Sequence, residues 1–558
     1  MRVLLIGYRN AHVWLALLMG LSAAGLSVAA HLRIDATLID DAFITYRYAA
    51  NLARGHGLVY NSGEWVLGTT TPLYAMLLGV IAAITNSEFI PAASKTLNVA
   101  FVLVAGVSAG LIGYRITVRP IVGAVVLAIV VLGPKTLFAS VAGMETSLFL
   151  ALLSLGILSM VSHRWLFAAA TIGLAPLVRP EGLFAVAVTG AILLVSHFGL
   201  PSRERPSHRE LFWAAFALLL PSLIWALVSV GYYGSLLPQS IVAKRAGIYP
   251  VGIAVSLGLM LRYLIDSSLF LRLLPDEGGA LTLIGPRAFL LMLLLVLFIL
   301  VAGGAWLGRR RLVLWSIPVL LAVLIAFYAT SGTLIFPHYY ALLEPFFKVS
   351  WWAGVYYVSS RLIKRWASEA NQARLLTALG IVTALLILFP GLYYYPWKSV
   401  WRGQIDASEI DQSILRQAKY RAIALQIAPS LPDNSVVLMP EIGELGFFLD
   451  RVEVLDACGL VSPQVIPYLP VPEAQRASLA TGVIPPALVR DSQPDLIITL
   501  EVFGRKGVLD APWFWDDYVP VITWQGDWLP WESSALYVFS HKDFRAGLAL
   551  QDHDFSQP

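Results

Sequence analysis

Cysteine occurs once in 558 residues, at Cys458, which excludes an intramolecular disulfide and a cysteine-based zinc cluster. Charge is scarce too: 13% of residues are charged, against roughly 25% in soluble domains. With 58% of residues hydrophobic, the chain reads as a polytopic membrane protein. The net charge of +4 is small and the basic residues lie in short scattered clusters, so no nucleic-acid partner is indicated. No Gly-x-Gly-x-x-Gly follows a strand-like segment, and nucleotide binding therefore has no support. The basic N-terminal start leads into an apolar run longer than that of a signal peptide, without a small-x-small cleavage site, and reads as a retained first helix.

What is present is a long series of apolar runs separated by basic loops. A span needs about 20 apolar residues, and short Lys/Arg-rich loops stay on the cytoplasmic side. With Arg2 and Arg9 inside, about 11 transmembrane helices thread the chain so that Arg115, Arg119, Arg164, 201–210, 309–311 and 361–365 fall inside. Segment 72–84 has only 13 residues, too few for a comfortable span, and is expected outside as an interfacial or re-entrant piece. Residues 1–392 would form the transmembrane part, with a first outer loop at 34–91. Residues 393–558 would form an extracytoplasmic α/β domain, because the strand-like pieces 435–440, 452–456, 495–500 and 535–540 alternate there with helical patterns such as 408–428.

Charged side chains at membrane depth are costly, a few kcal/mol each on insertion scales, and are functional candidates by default. The threading gathers several at one face: Asp40 and Asp41 after the first helix, Glu145 in GMETSLF, Arg179 and Glu181 in LVRPEGL, Lys244 in the long outer segment, and His338 with Tyr339 and Tyr340 in FPHYY. Each also has a structural reading. Either aspartate can cap the helix ITYRYAANLARG; Arg47, seven residues after Asp40, can pair with it or touch substrate. Glu145 can favour a helix dipole, Arg179 can pair with Glu181, His56 between two glycines can be a turn residue, and the tyrosines can form an interfacial belt.

Sugar transfer from a polyprenyl-phosphate donor uses this set of groups: cations for the leaving phosphate and a carboxylate as general base for the acceptor hydroxyl. DDAFITYRYAANLARGHGLVYNSGE, GTTTPLY, GMETSLF, LVRPEG, YYGSLLPQS and FPHYYALLEPF resemble, in order, the motifs of the GT-C superfamily of integral-membrane glycosyltransferases. The nearest branch is that of the terminal β-arabinofuranosyltransferases of actinobacterial cell-wall assembly and their uncharacterised bacterial relatives. The resemblance implies a catalytic carboxylate at Asp40 or Asp41 and a second acidic position at Glu145, with the aromatic helix that follows the aspartates expected to lie along the membrane interface. It places Arg179, Lys244 and His338 on the donor phosphate, and Arg47, His56, Glu181, Tyr339 and Tyr340 near substrate. It also implies a lipid-linked sugar donor, a glycan or other cell-envelope acceptor, and a cytoplasmic-membrane protein with its active site facing outward. GMET stands where metal-dependent relatives carry a D-x-D-like motif, so no cofactor is expected to be required. A transporter or flippase of lipid-linked sugars is the competing class; it would show internal repeats and broken helices near the midplane, and no repeat is evident.

Overall fold

The computed structural model describes residues 2–544 except 34–38, 203, 249–250, 270–278, 333, 337–338, 369–370, 373–374, 376–377, 380–408, 478–482, 527–528 and 530–532. The chain opens with α1 (Arg2–Arg33), then α2 (Asp41–Ala53) and α3 (Pro72–Ile84) in the loop region. There follow α4 (Ile90–Thr117), α5 (Pro120–Val131), α6 (Pro134–Val141), α7 (Thr146–Val161), α8 (Trp165–Gly173), α9 (Gly182–Gly199) and α10 (His208–Tyr233). The bundle closes with α11 (Gln239–Arg245), α12 (Ile253–Leu269), α13 (Gly279–Arg310), α14 (Ser316–Thr330) and α15 (Tyr340–Trp366).

Proline sets several of these boundaries. It occupies the first turn of α3, α5 and α6, where its missing N–H costs nothing, and at Pro134 it interrupts a span that bends by 54° between α5 and α6. A capping box of Ser207 and Glu210 starts α10, and Gly234 in the left-handed region ends it. Gly110 and Gly123 let α4 and α5 touch backbone to backbone, since a Cβ on either would lie 2.8 Å from the other's carbonyl oxygen.

Six helices among the described residues are long and apolar enough to cross a membrane, or seven with the bent α5–α6 pair. The expected count of about 11 is not reached, for physical reasons that differ by segment. Helix α7 has 16 residues and α8 has 9, short of the roughly 30 Å of a bilayer core at 1.5 Å per residue. Helix α15 is long enough but rich in Tyr, Trp and Ser, with Glu344 and Lys348 inside it. The helix expected at 374–392 lies outside the described residues. Segment α3 is a separate short helix, packed on α2 and α4. Helix α4 covers about 31 Å between Ser94 and Arg115, matching the hydrocarbon thickness. At its far end Arg115 meets Ser162, and Arg311 meets Glu204 close by His163, so the basic loops share one end of the bundle.

The C-terminal part holds α16 (Glu409–Ile427), β1 (Val436–Met439), α17 (Glu444–Phe448), β2 (Glu453–Asp456), α18 (Pro486–Ser492), β3 (Leu496–Leu500), α19 (Glu501–Gly504), α20 (Pro512–Asp517), β4 (Tyr518–Trp524) and β5 (Leu536–His541). They form a five-stranded sheet of order β2-β1-β3-β5-β4. Strand β1 pairs in parallel with β2 and β3, and β5 runs antiparallel to β3 and β4. Strand β4 has no counterpart in the sequence reading, because Pro520 demotes the run. It is an edge strand with its register shift at Pro520/Ile522.

The carboxyl ends of β1 and β2 rest on the membrane part: the amides of Gly443 and Glu444 reach Asp40, and Gln239 donates to the Gly459 carbonyl at 3.1 Å. Helix α2 lies between the two cores. Phe43, Tyr46 and Ala49 pack into the helical bundle, whereas Tyr48 packs with Leu58 and Tyr60 against Ile442, Leu445 and Val461 of the sheet unit. The expectation that this aromatic helix lies along the bilayer surface is therefore corrected: nine of its 13 residues are buried.

Candidate active site

Asp40 and Asp41 divide their tasks. The Asp40 carboxylate accepts from the backbone N–H of Gly443 at 2.7 Å and of Glu444 at 2.8 Å. It thus caps a helix, as its residue type favours, but the helix is α17 of the C-terminal part rather than its own α2, to which it makes no side-chain cap bond. Gly443 is required there, since a Cβ would collide with Asp40. Asp41, the first residue of α2, is reached by solvent. It nevertheless sits in a protein-walled recess: lost hydration, with Asp40 next to it, pushes its carboxyl up to about 6, opposed by Lys244 and Arg179.

Facing it is a buried charge cluster drawn from five segments. Arg179 is bound to Glu145 and bridges Glu181 through Nη2 at 3.2 Å and Nε at 3.3 Å. Tyr328 donates to Glu181 at 2.5 Å. Lys244 donates to the Tyr339 hydroxyl at 2.7 Å, and the Tyr339 ring lies 5.3 Å from the Lys244 ammonium and 5.5 Å from the Arg179 guanidinium. Beneath Asp41, Tyr46 and Tyr74 donate to Ser94 at 2.7 and 3.0 Å, and Ser94 donates to the Gly143 carbonyl at 2.9 Å. This fixes the loop that delivers Glu145.

The fold thus brings together Asp41, Glu145, Arg179, Glu181, Lys244 and Tyr339, with Asp40 at the edge. It places three other candidates elsewhere. Arg47 neither pairs with Asp40 nor opens to solvent; it donates to the carbonyls of Tyr60, Gly446, Leu449 and Val452 and to Asn61. His56 is exposed in a turn between Gly55 and Gly57, both with positive φ. Tyr340 stacks on Tyr263 with ring centroids 4.3 Å apart. His338 lies outside the described residues.

Sequence reasoning named no site residue in the C-terminal part. Glu444 is paired with Arg421 at 2.8 Å and is pushed up to about 8 by burial, with Asp40 adding to the shift. Glu441, which accepts from Tyr420 and lies 3.6 Å from Arg416, is within electrostatic range of Asp40 and Asp41. It missed Tyr328, which near the end of an apolar helix reads as a belt residue. It also missed Glu344, whose carboxylate accepts from the Thr136 amide at 2.8 Å and from Lys348 at 2.8 Å; an i,i+4 charge pair inside an apolar run was the available signal. Among the described residues, no three His, Cys, Asp or Glu side chains group as a metal site.

Comparison with solved structures bears on the fold. ArnT from Cupriavidus metallidurans bound to undecaprenyl phosphate superposes with a TM-score of 0.50 at 14% identity, covering 96% of this chain and 99% of that one. The two share a fold. The oligosaccharyltransferase AglB from Archaeoglobus fulgidus, in complex with an inhibitory peptide and a dolichol-phosphate, gives a TM-score of 0.48 at 13% identity over 94% of this chain and 76% of that one. The likeness to ArnT concerns the fold alone and carries nothing about arabinofuranose. Residues 409–545 match the model of a domain of unknown function, DUF8728. No curated protein matches the chain by sequence.

Proposed function

We propose that this integral membrane protein is a glycosyltransferase that moves a sugar from a polyprenyl-phosphate donor to a hydroxyl of an extracytoplasmic glycan, lipid or protein acceptor. The observation that carries the reading is the solvent-reached Asp41 in a recess shared with Lys244 and the Arg179 cluster, at one end of a membrane bundle. Asp41 takes the proton of the acceptor hydroxyl as its oxygen bonds to the anomeric carbon, and the bond from that carbon to the phosphate oxygen breaks. Lys244 meets the charge left on the lipid phosphate; its ammonium has three donors and spends one on Tyr339. Arg179, shared between two carboxylates, acts as the clamp that holds Glu145 and Glu181 rather than as the principal phosphate ligand. Glu441 and Glu444 bring the C-terminal part to the acceptor side.

No step is assigned to a divalent cation. Both Asp40 oxygens accept backbone amides, and Glu145 is bound by Arg179, so the acids around Asp41 are a poor donor set for one.

The test is transfer by the purified protein from a panel of polyprenyl-phosphate sugars, arabinofuranose first and hexoses next, to cell-envelope glycans. Asp41→Asn is expected to lower transfer by about 10²-fold or more, with donor binding retained. Asp40→Asn, which keeps an acceptor oxygen for one amide, is expected to lower it far less. Equal transfer by Asp41→Asn and wild type would overturn the assignment; movement of lipid-linked sugar across proteoliposomes without transfer would favour the transporter.

A further inference from the structure

At the other end of the bundle from Asp41, a cavity of about 640 Å³ opens between α1, α4, α5, α7, α13, α14 and α15. Its walls are mostly apolar, aliphatic at Ile112, Val126, Leu150 and Val349 and aromatic at Phe346 and Trp352, and its mouth carries Arg119 and Tyr114. Gly113 on its wall lies about 28 Å along α4 from Ser94, so the mouth belongs to the leaflet opposite the catalytic recess. This is the end where the basic loops gather.

The surrounding helices cannot close the space. Helix α5 already touches α4 at Gly110 and Gly123, and α15 is tied to the start of α6 by Glu344 and Thr136. A void of this size with fixed walls loses packing that a folded chain cannot spare, so it must be filled. Its volume is that of a ligand pocket, and its lining matches hydrocarbon. Arg119 at the mouth is exposed; its backbone N–H donates to the Thr117 hydroxyl and its carbonyl accepts from the amides of Val122 and Gly123. A cation above an apolar cavity complements an anionic head group on an acyl chain.

We propose that this cavity is a binding site for an anionic phospholipid of the basic-end leaflet, with one acyl chain inside and the phosphate on Arg119. The mouth, not the whole cavity, is set apart by depth: a donor phosphate at Lys244 would sit about a bilayer's thickness from Arg119, while the inner wall at Leu150 lies about 8 Å along α7 from Glu145.

The test uses the full chain purified in mild detergent, with retained lipid extracted and identified by mass spectrometry. Delipidated protein is then titrated with phosphatidylglycerol, phosphatidylcholine and undecaprenyl phosphate by native mass spectrometry. Wild type is expected to retain phosphatidylglycerol and to prefer it to phosphatidylcholine. Val349→Trp, which fills the cavity, is expected to lower that occupancy about tenfold, and Arg119→Gln to lower it several-fold and abolish the preference. Arg119→Gln is a surface change, so it keeps the test decisive if Val349→Trp fails to fold. Occupancy unchanged in the folded variants would overturn the site. Retention of undecaprenyl phosphate alone, lost in Val349→Trp, would overturn the phospholipid assignment in favour of a donor tail. Neither readout depends on sugar transfer, so the site and the proposed enzymatic function stand or fall separately.

Discussion

Asp40 and Asp41 are joined by one peptide bond, yet one faces backbone amides and the other faces solvent and a lysine. The pH response follows from the second. Because Asp41 is raised from 3.8 to about 6, its base form fills as pH rises through about 6. The transfer rate is expected to drop about tenfold per unit well below that point, a profile that Lys244→Met should displace upward by removing the cation that favours the carboxylate. The linkage to stability has a definite sign. Between 3.8 and about 6 the folded state holds a proton that the unfolded state has released, so this group's contribution is full below 3.8 and is lost as pH rises through about 6. Asp41→Asn is therefore expected to melt at or above the wild-type temperature at pH 7.5, an advantage that disappears by pH 4, as calorimetry at the two pH values would reveal. Asp41 and Lys244 were legible in the sequence because a charge at the membrane edge needs a reason. The role of Asp40 was not, because its partners are 403 and 404 residues away and are backbone amides, which leave no mark on sequence.

Helix α2 shows how an element can be read correctly in type and wrongly in place. Its boundaries follow from Asp at the start and the Gly-rich turn at the end, but its aromatic residues serve two cores rather than a lipid surface. Arg47 is the centre of this arrangement, satisfying the carbonyls of Gly446, Leu449 and Val452. Arg47→Met leaves those acceptors buried and unpaired, at about 1–3 kcal/mol each. The variant is expected to lose several kcal/mol of stability and to speed hydrogen exchange across residues 443–454, while a control such as His56→Ala in the exposed turn changes neither. Strand β4 and the short helices α7 and α8 failed to read for a related reason. A proline at a bulge, or an apolar stretch of span-like composition without span-like length, carries the right residues for a different geometry.

At the scale of the molecule, both the charged recess and the sheet unit sit at the end of the bundle away from the basic loops. That arrangement predicts that residues after α3 face the same compartment as residues 409–544. Because Cys458 is buried, a single cysteine introduced at Asn86 can be labelled without background. It is expected to react with an impermeant maleimide added outside intact cells, as is one at exposed Asp433, whereas one at Arg205 is not. Labelling at Arg205 with protection at Asn86 would invert the threading.

The bond between Asp40 and the amides of Gly443 and Glu444 also sets a rule for rebuilding the protein. A chimera cut in the 380–408 stretch, with a foreign C-terminal part, would carry the helices intact and still misplace the base, since Asp41 inherits its position from its neighbour's grip on α17. The smallest unit that can be transplanted is therefore discontinuous, the stretch from 39 to 61 together with 440 to 454, and the glycine at 443 must travel with it.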